Sequence, residues 1–186
     1  GFFRRKEGST FLVDEQWYKV RNSIYVLGNI PGEESVQCLS KLSADPDIRV
    51  RLEVIKALEK IGRPESVDVL LSFLNDGEDE VRQRAIASLT ALGDKSCLKP
   101  LMDHFRHNHK DRRITLTAIA KIGEEESVDF LLKILREKEK GIISLAPKQK
   151  NEIKIDVLNI LGKIGSSESA EQIEKFIKQR GKGLLN

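Results

Sequence analysis

The segment DPDIRVRLEVIKALEKIGRPESVDVLLSFLND, residues 45–76, is answered thirty-one residues later by DGEDEVRQRAIASLTALGDKSCLKPLMDHFRH. The apolar spacing, the central glycine and one arginine return, and almost everything else changes. A chain that repeats itself at about 30 residues is confined to a few architectures, because each copy is one supersecondary unit that cannot bury its apolar face alone. Anchoring on the turn gives NIPGEESV, KIGRPESV, ALGDKSCL, KIGEEESV and KIGSSESA, with the turn residue at Pro31, Gly62, Gly93, Gly123 and Gly165. The spacings are therefore 31, 31, 30 and 42 residues.

Upstream of each turn runs an apolar stripe with period 3.6, the mark of an amphipathic helix. It reads Val50, Val54, Ile55, Leu58, Ile61 in the second unit and Val81, Ala85, Ile86, Leu89, Leu92 in the third. In the fifth it reads Ile153, Val157, Leu158, Leu161, Ile164. A second stripe follows each turn: Val67, Leu70, Leu71, Leu74, then Leu98, Leu101, Met102, Phe105, then Val128, Leu131, Leu132, Leu135. Each unit is thus a pair of antiparallel helices. Glycine at the turn suits a helix C-terminus that needs positive φ. Asp94, Ser166 and the Pro64-Glu65 pair suit the start of the following helix. The expected fold is all-α, a superhelical solenoid of about five helix pairs.

The pattern VR…AL..IG…SV..LL..L.D, clearest in units two and three, resembles the HEAT-repeat family, specifically the short-unit type named after phycobilisome lyases. The resemblance covers about residues 16–180, as units 16–45, 46–76, 77–108, 109–148 and 149–180. Residues 1–15 are expected to be the end of a preceding repeat or an added flank, and 181–186 a flexible tail. Unit one departs from the pattern in being one residue short before its turn and in having Pro31 there. Unit four departs in having Asp111 where a valine is expected before Arg112. The family resemblance implies a binding scaffold that presents its second helices along a concave surface.

Composition narrows the class further. Hydrophobic residues at 39% and charged residues at 33% suit a folded helical protein. No apolar run approaches the roughly 18 residues of a membrane span. Cys38 and Cys97 lack any metal-ligand spacing and read as small buried residues of a reducing compartment. The net charge of +3 is too small to argue for nucleic acid. Its distribution is uneven, with 16 basic and 19 acidic residues over 31–135 against 11 and 7 over 136–186. The chain starts at Gly1 with no methionine, which points to a piece of a larger, cytoplasmic protein whose flanking repeats or domains are partners.

Catalytic signatures are scarce. No His-Glu dipeptide offers a di-iron site, no serine or cysteine has an evident base, and no glycine-rich phosphate loop occurs. The three histidines fall in HFRHNH, as His104, His107 and His109. His104 and His107 are spaced to share a helix face, but no Cys, Asp or Glu completes a zinc set, so a polar helix end is the expected role. Trp17, the sole tryptophan, is expected to pack on a repeat upstream. No enzymatic activity, cofactor or metal is expected, and a bilin-lyase-like enzyme rests on fold analogy alone.

Three surface columns remain. Arg51, Arg82, Arg112 and Lys154 share one position of the first helices, with Asp47 and Glu78 one turn earlier, and are expected to form a ladder of charge-assisted hydrogen bonds between repeats. A second column of Cys38, Val69, Pro100, Phe130 and Gln172, with Leu42, Phe73, His104, Ile134 and Phe176 one turn on, reads as packing between repeats. The third is the free face of the second helices. Lys99, Arg106, Lys133, Arg136, Lys175 and Lys178 form a basic strip there, the candidate partner-binding surface. An insertion at 137–150 and an uncharged outer face at Ala87, Ser88, Thr90 and Ala91, then Ile114, Thr117, Ala118 and Ala120, are further candidate contacts. The expected function is a non-enzymatic protein-interaction scaffold with an acidic protein partner. The alternative is a polyanion or nucleic-acid binder using the same strip.

Overall fold

The computed structural model describes residues 15–136 and 147–165, with Ala170, Glu171, Ile173, Glu174 and Lys178. Among them there are α-helices and short 3-10 turns and no strand, an all-α fold of the helical-repeat solenoid class. The chain divides into two compact units, residues 1–92 and 93–186, so the division falls inside the third repeat.

The first unit holds α1 (Glu15–Leu27), α2 (Glu33–Ser40), α3 (Ile48–Ile61), α4 (Pro64–Ser72, extended by a 3-10 turn over Phe73–Asn75) and α5 (Asp79–Leu92). The first helices of the pairs lie side by side, α1 on α3 and α3 on α5, while α2 packs on α4 as a second layer. Most of the expected stripe positions form the core: Val54, Ile55, Leu58, Leu70, Ala85, Ile86 and Leu89 are fully buried between those layers, while Ile61, Leu71 and Leu92 are half-buried. Each of the fully buried valine, leucine and isoleucine side chains among them contributes about 1.5–3 kcal/mol.

The second unit holds a 3-10 turn (Lys95–Cys97) leading into α6 (Leu98–His107), then α7 (Arg112–Gly123), a 3-10 turn (Glu124–Ser127), α8 (Val128–Arg136) and α9 (Pro147–Ile164). α6 packs on α7, α7 on α9 and α8 on α9. Leu101, Phe105, Leu116, Ile119, Leu131, Val157 and Leu161 form its core. The rings of Phe105 and Phe130 meet edge to face at 5.7 Å.

The turns follow the expected chemistry with one correction. Gly62, Gly93 and Gly165 have φ of 63°, 69° and 63°, which an L side chain rarely adopts. Gly123 does not share this role. It ends α7 at φ −88°, and Glu124 takes the positive φ, at 43°. The positive-φ position thus falls at 62, 93 and 124, a constant 31 residues apart, while the glycine has slipped one residue early. Gly123 is small for another reason: a Cβ there would lie 2.9 Å from Leu98 Cδ2 and 3.0 Å from Ser127 Cβ. Close approach fixes it.

The helix starts also differ in detail. Asp94 accepts from the Ser96 amide at 2.8 Å, and Pro64 opens α4, as expected. Asp47, expected in the arginine ladder, instead caps α3, accepting from the Arg49 amide at 2.9 Å. Cys97 is buried but Cys38 is exposed, because its position on the short α2 faces outward. Ser88 and Ala118, expected on an outer face, are both buried. Residues 137–146 of the insertion, Ser166, Gln172 and Phe176 lie outside the described residues.

Candidate functional site

The arginine column has a local geometry. Arg51 Nη1 donates to the Asp45 carbonyl at 2.7 Å, and Arg82 Nη1 donates to the Asp76 and Gly77 carbonyls at 2.8 and 3.2 Å. Arg112 Nε and Nη2 donate to the carbonyls of Phe105 and Arg106 at 3.1 and 3.3 Å. Each guanidinium therefore folds back five to seven residues, Arg51 and Arg82 onto the loop that enters their own helix and Arg112 onto the last turn of α6, whose carbonyls α-helical bonding leaves over. Arg51 also holds Asp76 through two bonds, of 2.8 and 3.1 Å, and so fastens the loop after its repeat as well. Burial pushes the Arg112 guanidinium below its ordinary pKa. Lys154, in the same column, is half-buried on α9.

Asp111, the departure in unit four, is only 1% exposed. Its carboxylate meets His104 Nε2 at 3.2 Å, and its carbonyl accepts the Thr115 hydroxyl at 2.8 Å. His107 turns instead to the Asp103 carbonyl, 2.8 Å from its Nδ1. His104 and His107 thus have separate protein partners, and no group of three or more His, Cys, Asp or Glu suited to a metal exists among the described residues.

The basic strip is uneven. Lys99 and Lys133 are exposed and no described residue pairs with them. Arg106 is half-buried, bonded to Asp103 at 3.0 Å and seated over the Phe130 ring at 5.5 Å, so its charge is largely committed inside the fold. Lys178 pairs with Glu174 at 2.6 Å, and this pairing holds the Glu174 carboxyl below its usual range. The side chains of Arg136 and Lys175 lie outside the described residues.

Two clefts accompany these columns. In the first unit one of about 510 Å³ is lined by Trp17, Arg49, Leu52, Glu80, Arg84 and Ala87. Trp17 sits there with the Arg49 guanidinium 4.7 Å over its ring, so it engages the following repeat, where an upstream one was expected. In the second unit a cleft of about 700 Å³ is lined by Lys95, Thr117, Lys121, Glu126, Ile160 and Lys163. Lys95 and Glu126 are paired there at 2.6 Å, which raises the lysine pKa. Neither cleft lining contains a serine, cysteine or histidine.

Sequence reasoning placed the arginines in one column but missed Asp76 as the acidic partner, since it lies 25 residues from Arg51 in a loop. It flagged Asp111 as a break in pattern, which was the available signal for the His104 contact. It missed the exposed tyrosines of α1 altogether.

Among described residues no helix is long and apolar enough to cross a membrane. No match is found among curated proteins. The family model for HEAT repeats matches twice, over residues 10–81 and 67–146, and together these cover well over half the chain. With helix pairs in register and the turns at 62, 93 and 124 spaced by 31 residues, the chain belongs to the HEAT-repeat family.

Proposed function

We propose that this chain is a non-enzymatic protein-interaction scaffold, as HEAT repeats generally are, and that it meets an acidic partner through the second-helix lysines. One observation carries the reading. The recurrent charged positions are committed to the frame, as Arg51, Arg82 and Arg112 are to main-chain carbonyls, whereas Lys99 and Lys133 on the outward faces of α6 and α8 have no described partner. Charge that stabilises nothing internally is available for recognition and for steering an acidic surface. Arg106 is now a frame residue in this proposal, and Arg136, Lys175 and Lys178 are secondary members of the strip.

The test is a pull-down with this chain as bait, repeated with Lys99→Glu and Lys133→Glu together. Loss of the recovered partner with unchanged helicity supports the reading, and full retention moves the contact elsewhere. The nucleic-acid alternative rests on the same two lysines. It is separated by salt: phosphate contacts release counterions, so oligonucleotide affinity would fall steeply with ionic strength. Tight, steeply salt-dependent binding of an oligonucleotide, lost in the double variant, would replace the protein-partner reading.

A further inference from the structure

Four of the five large hydrophobic side chains exposed among the described residues sit within residues 18–30: Tyr18 (48%), Tyr25 (66%), Val26 (55%) and Ile30 (50%). Scattered exposed apolar groups need no explanation, but a cluster on one helix does. Tyr18, Tyr25 and Val26 fall at i, i+7 and i+8, one stripe along the side of α1 opposite buried Ile24.

Register says what shape fits this stripe. Val26 is followed at intervals of 31 by Ala57 and Ser88. Both are buried, and each faces the first helix before it. Ala57 Cβ would lie 3.0 Å from a Cβ placed on Gly28 of α1, and the Ser88 hydroxyl donates to Glu59 of α3 at 2.5 Å. The position is one where a first helix receives another helix, and in α1 no described residue fills it.

Charge says what that helix carries. Arg21 lies over the Tyr18 ring at 5.6 Å and among the described residues donates to Asn22. Lys60 lies over Tyr25 at 5.4 Å and donates to Asn29. Neither cation pairs with a described carboxylate. Tyrosine and arginine side by side are the residue types that anchor interfaces, and unneutralised cations at the rim select partners by sign.

We infer that the outward face of α1 docks an amphipathic helix of a partner protein whose apolar stripe is flanked by acidic residues. This rests on the scaffold reading but uses a different surface from the lysine strip.

The experiment uses two synthetic helix-forming peptides with the same leucine stripe, one flanked by glutamates and the other by lysines. Each is titrated against the full 186-residue chain by fluorescence anisotropy. The glutamate peptide is expected to bind at least about tenfold more tightly, in keeping with complementary rim charge. Tyr25→Glu with Val26→Glu should remove that binding while circular dichroism stays unchanged, and Tyr25→Ala serves if the charged pair unfolds α1. Arg21→Glu with Lys60→Glu should reverse the peptide preference. Equal affinity for the two peptides, or retention of binding in both Tyr25 variants, overturns the inference. So does a dimer in sedimentation that Tyr25→Ala dissolves, since a second copy then holds the face. Binding to phosphatidylserine vesicles through Tyr25, with no peptide binding, also overturns it. Lys99→Glu with Lys133→Glu leaves peptide affinity unaltered if the two surfaces are separate, so failure at α1 and failure at the strip are read independently.

Discussion

The Asp111 carboxylate lies 3.2 Å from His104 Nε2, at positions whose counterparts one repeat earlier are Val81 and Phe73. An apolar pair of columns has been exchanged for a polar pair inside the same packing, and the exchange is tolerable because each polar group meets the other. His104→Phe alone removes the imidazole from a buried carboxylate and should cost at least about 1–3 kcal/mol. Adding Asp111→Val should recover much of that loss, because it rebuilds the Phe73 and Val81 chemistry. Urea denaturation of both singles and the double measures the coupling. Strictly additive losses would mean that the two side chains are energetically independent.

Glu124 holds a positive φ of 43°, where its side chain is a burden. Glu124→Gly should raise stability by about 1 kcal/mol, the usual relief for a non-glycine residue held at positive φ. Gly123→Ala should do the opposite, by about 1–3 kcal/mol, since its Cβ meets Leu98 and Ser127 and overpacking is costly. Thermal midpoints of the two variants moving in the same direction would contradict this division of roles.

Arg51 and Arg49 test burial. Arg51 and Asp76 are nearly enclosed and doubly bonded, whereas the Arg49 and Asp47 pair is open to solvent. Arg51→Ala should destabilise by about 3 kcal/mol, because it strands a buried carboxylate. Arg49→Ala should cost under about 1 kcal/mol. Arg51→Lys should restore only part of the loss, as an ammonium cannot reproduce the forked contact. Chemical denaturation compares all three.

Acid sensitivity should come partly from helix caps. The hydrogen bond from Ser96 holds the Asp94 carboxyl below its usual range, and the bond from Arg49 does the same for Asp47. A carboxyl with a depressed folded-state pKa contributes stability above its unfolded value, near 4, and loses it as pH falls through the folded one. Asp94→Asn keeps a capping acceptor without a titrating charge, so its melting temperature should fall less between about pH 5 and pH 3 than that of the parent chain. Parallel pH profiles would assign the acid loss to other groups.

The helix pairs and their core were legible in sequence because a buried stripe has to recur every 3.6 residues whatever fills it. Val54, Leu58, Ile86 and Leu89 were readable for that reason, and all four are fully buried. The arginine contacts were legible only as a column: a guanidinium reaches 6 Å or so, and sequence spacing alone does not distinguish Asp47 from the Asp45 carbonyl or the distant Asp76. The strip was overread at Arg106. Position on a helix face does not reveal that Phe130 and Asp103 stand close enough to absorb its charge.

The arginine column bears on how such a chain lengthens. Arg51, Arg82 and Arg112 each reach back five to seven residues to backbone carbonyls at the end of the preceding repeat or in the loop after it. A gene duplication that copies one repeat therefore copies the arginine, and the acceptors it needs are main-chain carbonyls that any preceding repeat supplies. The newcomer needs only an apolar side to rest on, not a matching charge already present in its neighbour. That independence leaves the outward residues of every added repeat at liberty to diverge, which is how units two and three come to share a frame and little else.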